Sequence, residues 1–212
     1  MGRIVDIGRR IELVPMDPHF HDITIALYRQ QRGERTVFLV HTYSSIEGAD
    51  ARIQNVVQAM QTLGGMLKTL DGLLSFPCGV GHEAACRRVF LEACKLAQNV
   101  PVEPRPLHTL DKKSKLTMTA NSMGNGIYRV ATDGEGRSTT RRVSAVAGGL
   151  MKLGDMARVE DNSRDTVVFP CAHPHDALVG LLLVRAPNVR VVLREEELGA
   201  ARGMLTAPSQ QT

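Results

Sequence analysis

One tripeptide occurs twice, and each time a histidine follows at the same distance. Phe76-Pro77-Cys78 leads to His82-Glu83-Ala84, and Phe169-Pro170-Cys171 leads to His175-Asp176-Ala177, so that both read Phe-Pro-Cys-x-x-x-His-Glu/Asp-Ala. Two thiols and two imidazoles are a donor set suited to tetrahedral zinc, with Zn–S near 2.3 Å and Zn–N near 2.0 Å. Cys-x-x-x-His is not a standard zinc-finger spacing, so the four residues form one site only if the fold brings both signatures together. His173 adds a spare donor in the second signature alone. Glu83 and Asp176 directly follow the shared histidines; they are candidates to orient ligand rings, or to accept a proton if a metal with an open position activates water.

Other chemistry fits the same residues. A cysteine at a buried strand end packs as a small hydrophobe, and a histidine followed by an acid suits a helix start, where negative charge complements the dipole. A thiol beside a helix N-terminus with a histidine as base is also a nucleophile for hydrolysis or group transfer, although a nucleophile seldom needs two copies. Gly79-Val80-Gly81 resembles a loop that brings backbone N–H groups to a phosphate, but Ala172 and Pro174 replace the glycines in the second signature, and no Gly-Lys-Ser/Thr follows. His19 and His21 alternate within Asp17–Asp22 as paired ligands on an extended segment would, without a counterpart later in the chain. His41 faces Ala131 in the self-alignment and reads as packed or hydrogen-bonded; His108 supports no inference. Cys86, Phe90 and Cys94 recur at helical spacing and read as core.

The elements that must position the signatures emerge when the chain is aligned with itself. From Val37 to Met66 the partner lies 90 residues on: Val40 meets Val130, Arg52 meets Arg142, Leu63-Gly64 meets Leu153-Gly154 and Met66 meets Met156. From Phe76 onward the offset is 93, and the change falls between Leu67 and Ser75, opposite the polar stretch Glu160–Asp165, as a loop would allow. Each copy opens with a hairpin, Ile23–Tyr28 with Val37–Thr42 and then Leu116–Ala120 with Ile127–Ala131. The second hairpin carries Asn125-Gly126, a pair that tolerates the positive φ of a tight turn. Helical stripes follow at Ile53, Val56, Val57, Met60 and Leu63, and at Val143, Val146, Ala147, Leu150 and Leu153. Gly64 and Gly154 offer left-handed stops. Strands at Leu73–Phe76 and Thr166–Phe169 lead through Pro-Cys into helices at about His82–Leu96 and His175–Ala186.

The expected architecture is α+β: an internal tandem duplication of a ββαβα unit forming a pseudo-two-fold, two-layer sandwich in which each copy completes the other's core. Residues 1–98 make the first repeat with an N-terminal strand within Arg3–Val14, 99–115 a Pro- and Lys-rich linker, 116–205 the second repeat, and 206–212 a loose tail. Val189–Leu193 reads as a further strand and Glu195–Ala201 as a short helix. The apolar run Ala177–Val184 marks a central helix, whereas Arg87, Arg88 and Glu92 give its counterpart a wet face.

Charge and composition bound the partners. With 26 Lys+Arg against 22 Asp+Glu the net charge is +4, spread along the chain rather than gathered into a dense stripe. Lys112, Lys113 and Lys115, Arg137, Arg141 and Arg142, and Arg87 with Arg88 are the phosphate-contacting candidates if the protein binds nucleic acid. Three tyrosines, five phenylalanines and no tryptophan leave little for a base-stacking platform. No secretory signal opens the chain, its longest apolar run is far short of a bilayer span, and four cysteines without a signal read as thiols. The sequence therefore points to a soluble cytoplasmic protein that binds a transition metal, zinc by donor type, or a small ligand at the Cys/His corners. A Cys/His-dependent or metal-assisted hydrolase or transferase, a nucleic-acid binder, and a structural subunit that forms homo-oligomers are the alternatives.

Overall fold

The computed structural model describes residues 11–14, 25–42, 44–45, 47–96, 102–159 and 163–189. Predicted features at His19 and His21, at Val189–Leu193 beyond its first residue, at Glu195–Ala201 and in the tail lie outside them. The chain is mixed α+β, with two antiparallel sheets and, among the described residues, four α-helices. The first sheet runs β1 (Ile11–Val14), β2 (Ile25–Arg32), β3 (Arg35–Thr42), β5 (Leu74–Ser75), β4 (Leu67–Lys68), and carries helices α1 (Ala49–Gly64) and α2 (Glu83–Leu96). The second runs β6 (His108–Asp111), β7 (Leu116–Gly124), β8 (Ile127–Thr132), β10 (Thr166–Val168), β9 (Ala157–Arg158), with α3 (Arg137–Gly154) and α4 (Asp176–Leu183). A 3-10 turn at Ala186–Asn188 follows α4, its Pro187 unable to continue the α-helical hydrogen bonding.

Both hairpins form where alternation and turn chemistry place them. Gly33 takes a positive φ of 59° between Arg32 and Arg35, and Asn125 and Gly126 adopt 49° and 72°, the left-handed pair of a type I′ turn. Register matches across the sheets: Phe38 pairs with Leu74, and Tyr128 with Val167. The helical stripes are buried as their spacing requires, with Val56, Met60, Leu63, Val146 and Leu150 fully enclosed, each large apolar side chain worth about 2 kcal/mol.

Several expectations are refined. The N-terminal strand expected within Arg3–Val14 is β1; beyond the elements read from sequence are β6, which precedes the second hairpin, and β4 and β9, two-residue edge strands too short to leave a period in sequence. β6 lies inside the segment read as a linker, paired with β7 from His108↔Thr119 to Asp111↔Leu116. The lysines Lys112, Lys113 and Lys115 therefore sit on a hairpin turn. Its geometry comes from Asp111, whose carboxylate accepts the Lys113 N–H (3.0 Å) and the Ser114 hydroxyl (2.6 Å). The preceding stretch is packed: Val102 and Leu107 lie on the core, and a Cβ on Gly180 would run into the Arg105 carbonyl that crosses α4. The glycines at the helix ends also act differently from expectation. Gly64 and Gly154 are the last helical residues, and the left-handed position is one further on, Gly65 (φ 62°) and Asp155 (φ 54°). A Cβ on Gly64 would lie 3.0 Å from Val89 of α2, and one on Gly154 2.7 Å from Leu182 of α4, so both glycines admit the next helix of their own half.

The two halves meet helix on helix. α1 packs on α2 and α4, α3 on α4 and α2, and one hydrophobic cluster draws residues from both halves. α4 is apolar and enclosed from Leu178 to Leu183, while α2 keeps Arg87 exposed, as the composition of the two helices implied. No helix among the described residues is long and apolar enough to cross a membrane.

Candidate metal centre

Each signature folds into a corner of the same form. After β5 the buried Phe76 anchors the chain, Pro77 and Cys78 turn it, and the Gly79 N–H donates to the Phe76 carbonyl at 2.9 Å. After β10 the Ala172 N–H donates to the Phe169 carbonyl at 3.0 Å. Gly79 (φ 78°) and Ala172 (φ 54°) both pass through the left-handed region, which folds the chain back toward the coming helix. His82 and His175 stand immediately before α2 and α4, their carbonyls accepting the first helical bonds from Cys86 and Val179 at 2.8 and 2.9 Å. The turn thus returns each histidine to its own cysteine: Cys78 Sγ to His82 Nε2 is 3.2 Å, and Cys171 Sγ to His175 Nε2 is 3.3 Å.

The two corners converge. The donor atoms of Cys78, His82, Cys171 and His175 all lie within 4.8 Å of one another, and the imidazole centroids are 4.8 Å apart at 75°. Phe76 and Phe169 form the apolar wall, each packing edge-on against both imidazoles with centroids 4.8–5.8 Å away. A tetrahedral zinc with ordinary bond lengths has S···N edges of about 3.5 Å. Each half already holds its Cys/His edge near that length, and the buried histidines close the inner side while the half-buried sulfurs lie toward the surface.

No family model, curated protein or solved structure matches the chain.

Burial sets the protonation of the corners. It pushes the Cys78 thiol up to about 11, with the neighbouring Cys171 adding to the effect, and backbone hydrogen bonds including Val80 opposing it. It pushes His82 below its usual value against the pull of Asp155, and His175 down to about 4, helped by His82 and His173 and opposed by Asp176. At neutral pH the Cys78 thiol is protonated and both imidazoles are neutral, a state that disfavours a thiolate–imidazolium nucleophile. Neutral imidazoles keep lone pairs for a metal, and a dication repays the cost of ionising a buried thiol.

The remaining predicted residues fall elsewhere. His173 is exposed and outside the group of four; its Nδ1–H donates to the Cys171 carbonyl at 2.9 Å, which turns the ring to the corner's own backbone. Glu83 forms an ion pair with Arg29. Asp176 accepts the Tyr128 hydroxyl at 2.7 Å, and that oxygen in turn accepts the His175 N–H at 2.6 Å. The acids expected to orient the ligand rings are thus bonded to Arg29 and to Tyr128, and Asp176 is linked to His175 only through the Tyr128 hydroxyl. Two other residues prop the corners. Tyr128 holds the backbone of His175, and Asp155 accepts the Ala84 N–H at 3.1 Å, reaching from the end of α3 to the start of α2. Their sequence signal was asymmetry: Tyr128 aligns with Phe38, and Asp155 with Gly65.

Arg142, named as a phosphate contact, pairs with the buried Asp111 and donates from Nη2 to the Pro187 carbonyl at 2.6 Å, whereas Arg141 is exposed. Gly79 and Gly81 lie against the start of β3: the Thr36 N–H donates to the Gly79 carbonyl at 2.9 Å, and a Cβ on Gly81 would be 3.1 Å from Thr36. Close strand packing accounts for these glycines without a phosphate. Cys86 and Cys94 are fully buried core residues, and His41 is exposed at the end of β3, away from the cluster.

Proposed function

We propose that Cys78, His82, Cys171 and His175 bind one zinc ion, and that the metal staples the two halves of a duplicated chain at their strand-to-helix corners. The observation that carries this reading is the convergence of four zinc-type donor atoms within 4.8 Å, two from each half. Four protein ligands complete a tetrahedron, which is the pattern of a structural site rather than a hydrolytic one with an open position. The engagement of Glu83 with Arg29 and of Asp176 with Tyr128 supports the same choice, since neither acid is held as a proton acceptor beside the donors.

The duplication is part of the proposal. Its support is the matching strand order of the two sheets, the paired registers of Phe38 with Leu74 and Tyr128 with Val167, and the equivalent seats of Gly64 and Gly154. On this reading the second repeat begins at β6 rather than at 116, and an approximate two-fold axis passes between the corners. Four cysteines outside any disulfide and a zinc-thiolate site both suit a reducing, cytoplasmic setting.

Elemental analysis of the purified chain tests the function. About one zinc per chain, falling to a small fraction in Cys78→Ser, is the expected result; metal far below one equivalent, or unchanged by that substitution, would refute it.

A further inference from the structure

A second cluster of chemically matched side chains lies away from the corners. A cavity of about 480 Å³ is lined by Arg88 of α2, Lys152 and Leu153 of α3, and Arg185, Asn188 and Val189 beyond α4. Three cationic side chains from three segments thus line one open depression. Arg185 is paired with Glu92. Arg88 has no such partner: its Nε is buried without an acceptor, one of two such buried side-chain atoms among the described residues. Burial and the charge of Arg185 both disfavour its protonated form. A half-buried guanidinium with one N–H unpaired and a like charge beside it is stabilised when an anion answers it.

We infer that this cavity is a binding site for the phosphate group of a small phosphorylated ligand. The planar guanidinium fork matches a tetrahedral oxyanion through paired N–H donors, Lys152 adds a point charge, and the Asn188 amide can donate a further bond. The volume lies in the range of small-molecule pockets, and Leu153 and Val189 offer an apolar wall for the carbon body of an ester. The inference is independent of the zinc reading.

Calorimetric titration of the full chain with inorganic phosphate, phenyl phosphate and phenol tests it. The expected result is saturable binding of phenyl phosphate and none of phenol. Tighter binding of phenyl phosphate than of inorganic phosphate assigns the site to an ester, and equal binding assigns it to free phosphate; both uphold the oxyanion site. Arg88→Leu takes the residue found at the self-aligned position Leu181, and Lys152→Thr that found at Thr62, so each places a side chain the fold already holds in an equivalent setting. Each is expected to weaken phosphate binding by about tenfold or more, with zinc content and thermal melting like those of the parent chain. Absence of binding to the parent, or affinity undiminished in both folded variants, would overturn the assignment.

Discussion

The two corners hold the same donors by different means. In the first, the loop is slim: Gly79 and Gly81 approach β3 where Thr36 stands, and His82 itself sits at a positive φ of 41°. In the second the loop is bulky, with Ala172, His173 and Pro174, and the strand is slim instead. Gly126, which aligns with Thr36, is the residue whose Cβ would come within 2.8 Å of the His173 carbonyl. Volume removed from one partner of the contact is restored on the other. The helix starts are also secured differently, α2 by Asp155 from the opposite half and α4 by Tyr128 from its own sheet. The props differ while the Cys/His spacing and its 3.2–3.3 Å contact are equal, which locates the common requirement at the donors.

That comparison can be broken most forcefully at the sulfurs. If each corner supplies half of one zinc site, Cys171→Ser should weaken zinc binding as much as Cys78→Ser, by about a hundredfold or more, one ligand's share of a typical structural zinc affinity. Competition with a chromophoric chelator reads the difference; a large loss from one cysteine and none from the other would end the equivalence. Acid has the next effect. Zinc must displace the proton of Cys78, held up to about 11, so affinity should fall by about tenfold per pH unit for each proton released, which the same competition at pH 8 and pH 6 measures. For the metal-free chain, His175 has a folded value near 4 and a usual value of 6.5. The unfolded chain binds more protons between those limits, so stability rises with pH across that window and is lost on acidification through it. Urea melts at pH 4.5 and 7 check the sign.

Tyr128→Phe recreates the residue at Phe38 and leaves the buried His175 N–H without its acceptor, at a cost of about 1–3 kcal/mol in chemical denaturation. Asp155→Gly removes the acceptor for Ala84 but relieves the left-handed backbone, so a net loss of under about 1 kcal/mol is expected by the same measurement. Least of all, Glu83→Gln breaks a partly exposed pair with Arg29 and should cost about 0–1 kcal/mol while zinc content stays constant.

Much of this arrangement was legible in the chain. The hairpins, the long helices and the Phe-Pro-Cys corners follow from period and turn chemistry, and the repeated signature named the four donors before any geometry. Two-residue strands such as Leu67–Lys68 escape because they are too short to alternate, and β6 was masked by the prolines before it. Glu83 and Asp176 are bonded to Arg29 and Tyr128, contacts that adjacency in sequence does not reveal, and the groups that prop the two corners come from residues 47 to 71 positions away. Only the fold brings Tyr128 and Asp155 to the corners, and their departure from Phe38 and Gly65 was a trace that the self-alignment already contained.

X-ray absorption at the zinc edge of the loaded chain addresses the shared centre directly. Two sulfurs near 2.3 Å and two nitrogens near 2.0 Å about one metal per chain are expected, with the sulfur shell halved in Cys78→Ser. A first shell of oxygen and nitrogen alone, or a sulfur shell that survives loss of both Cys78 and Cys171, would contradict the staple.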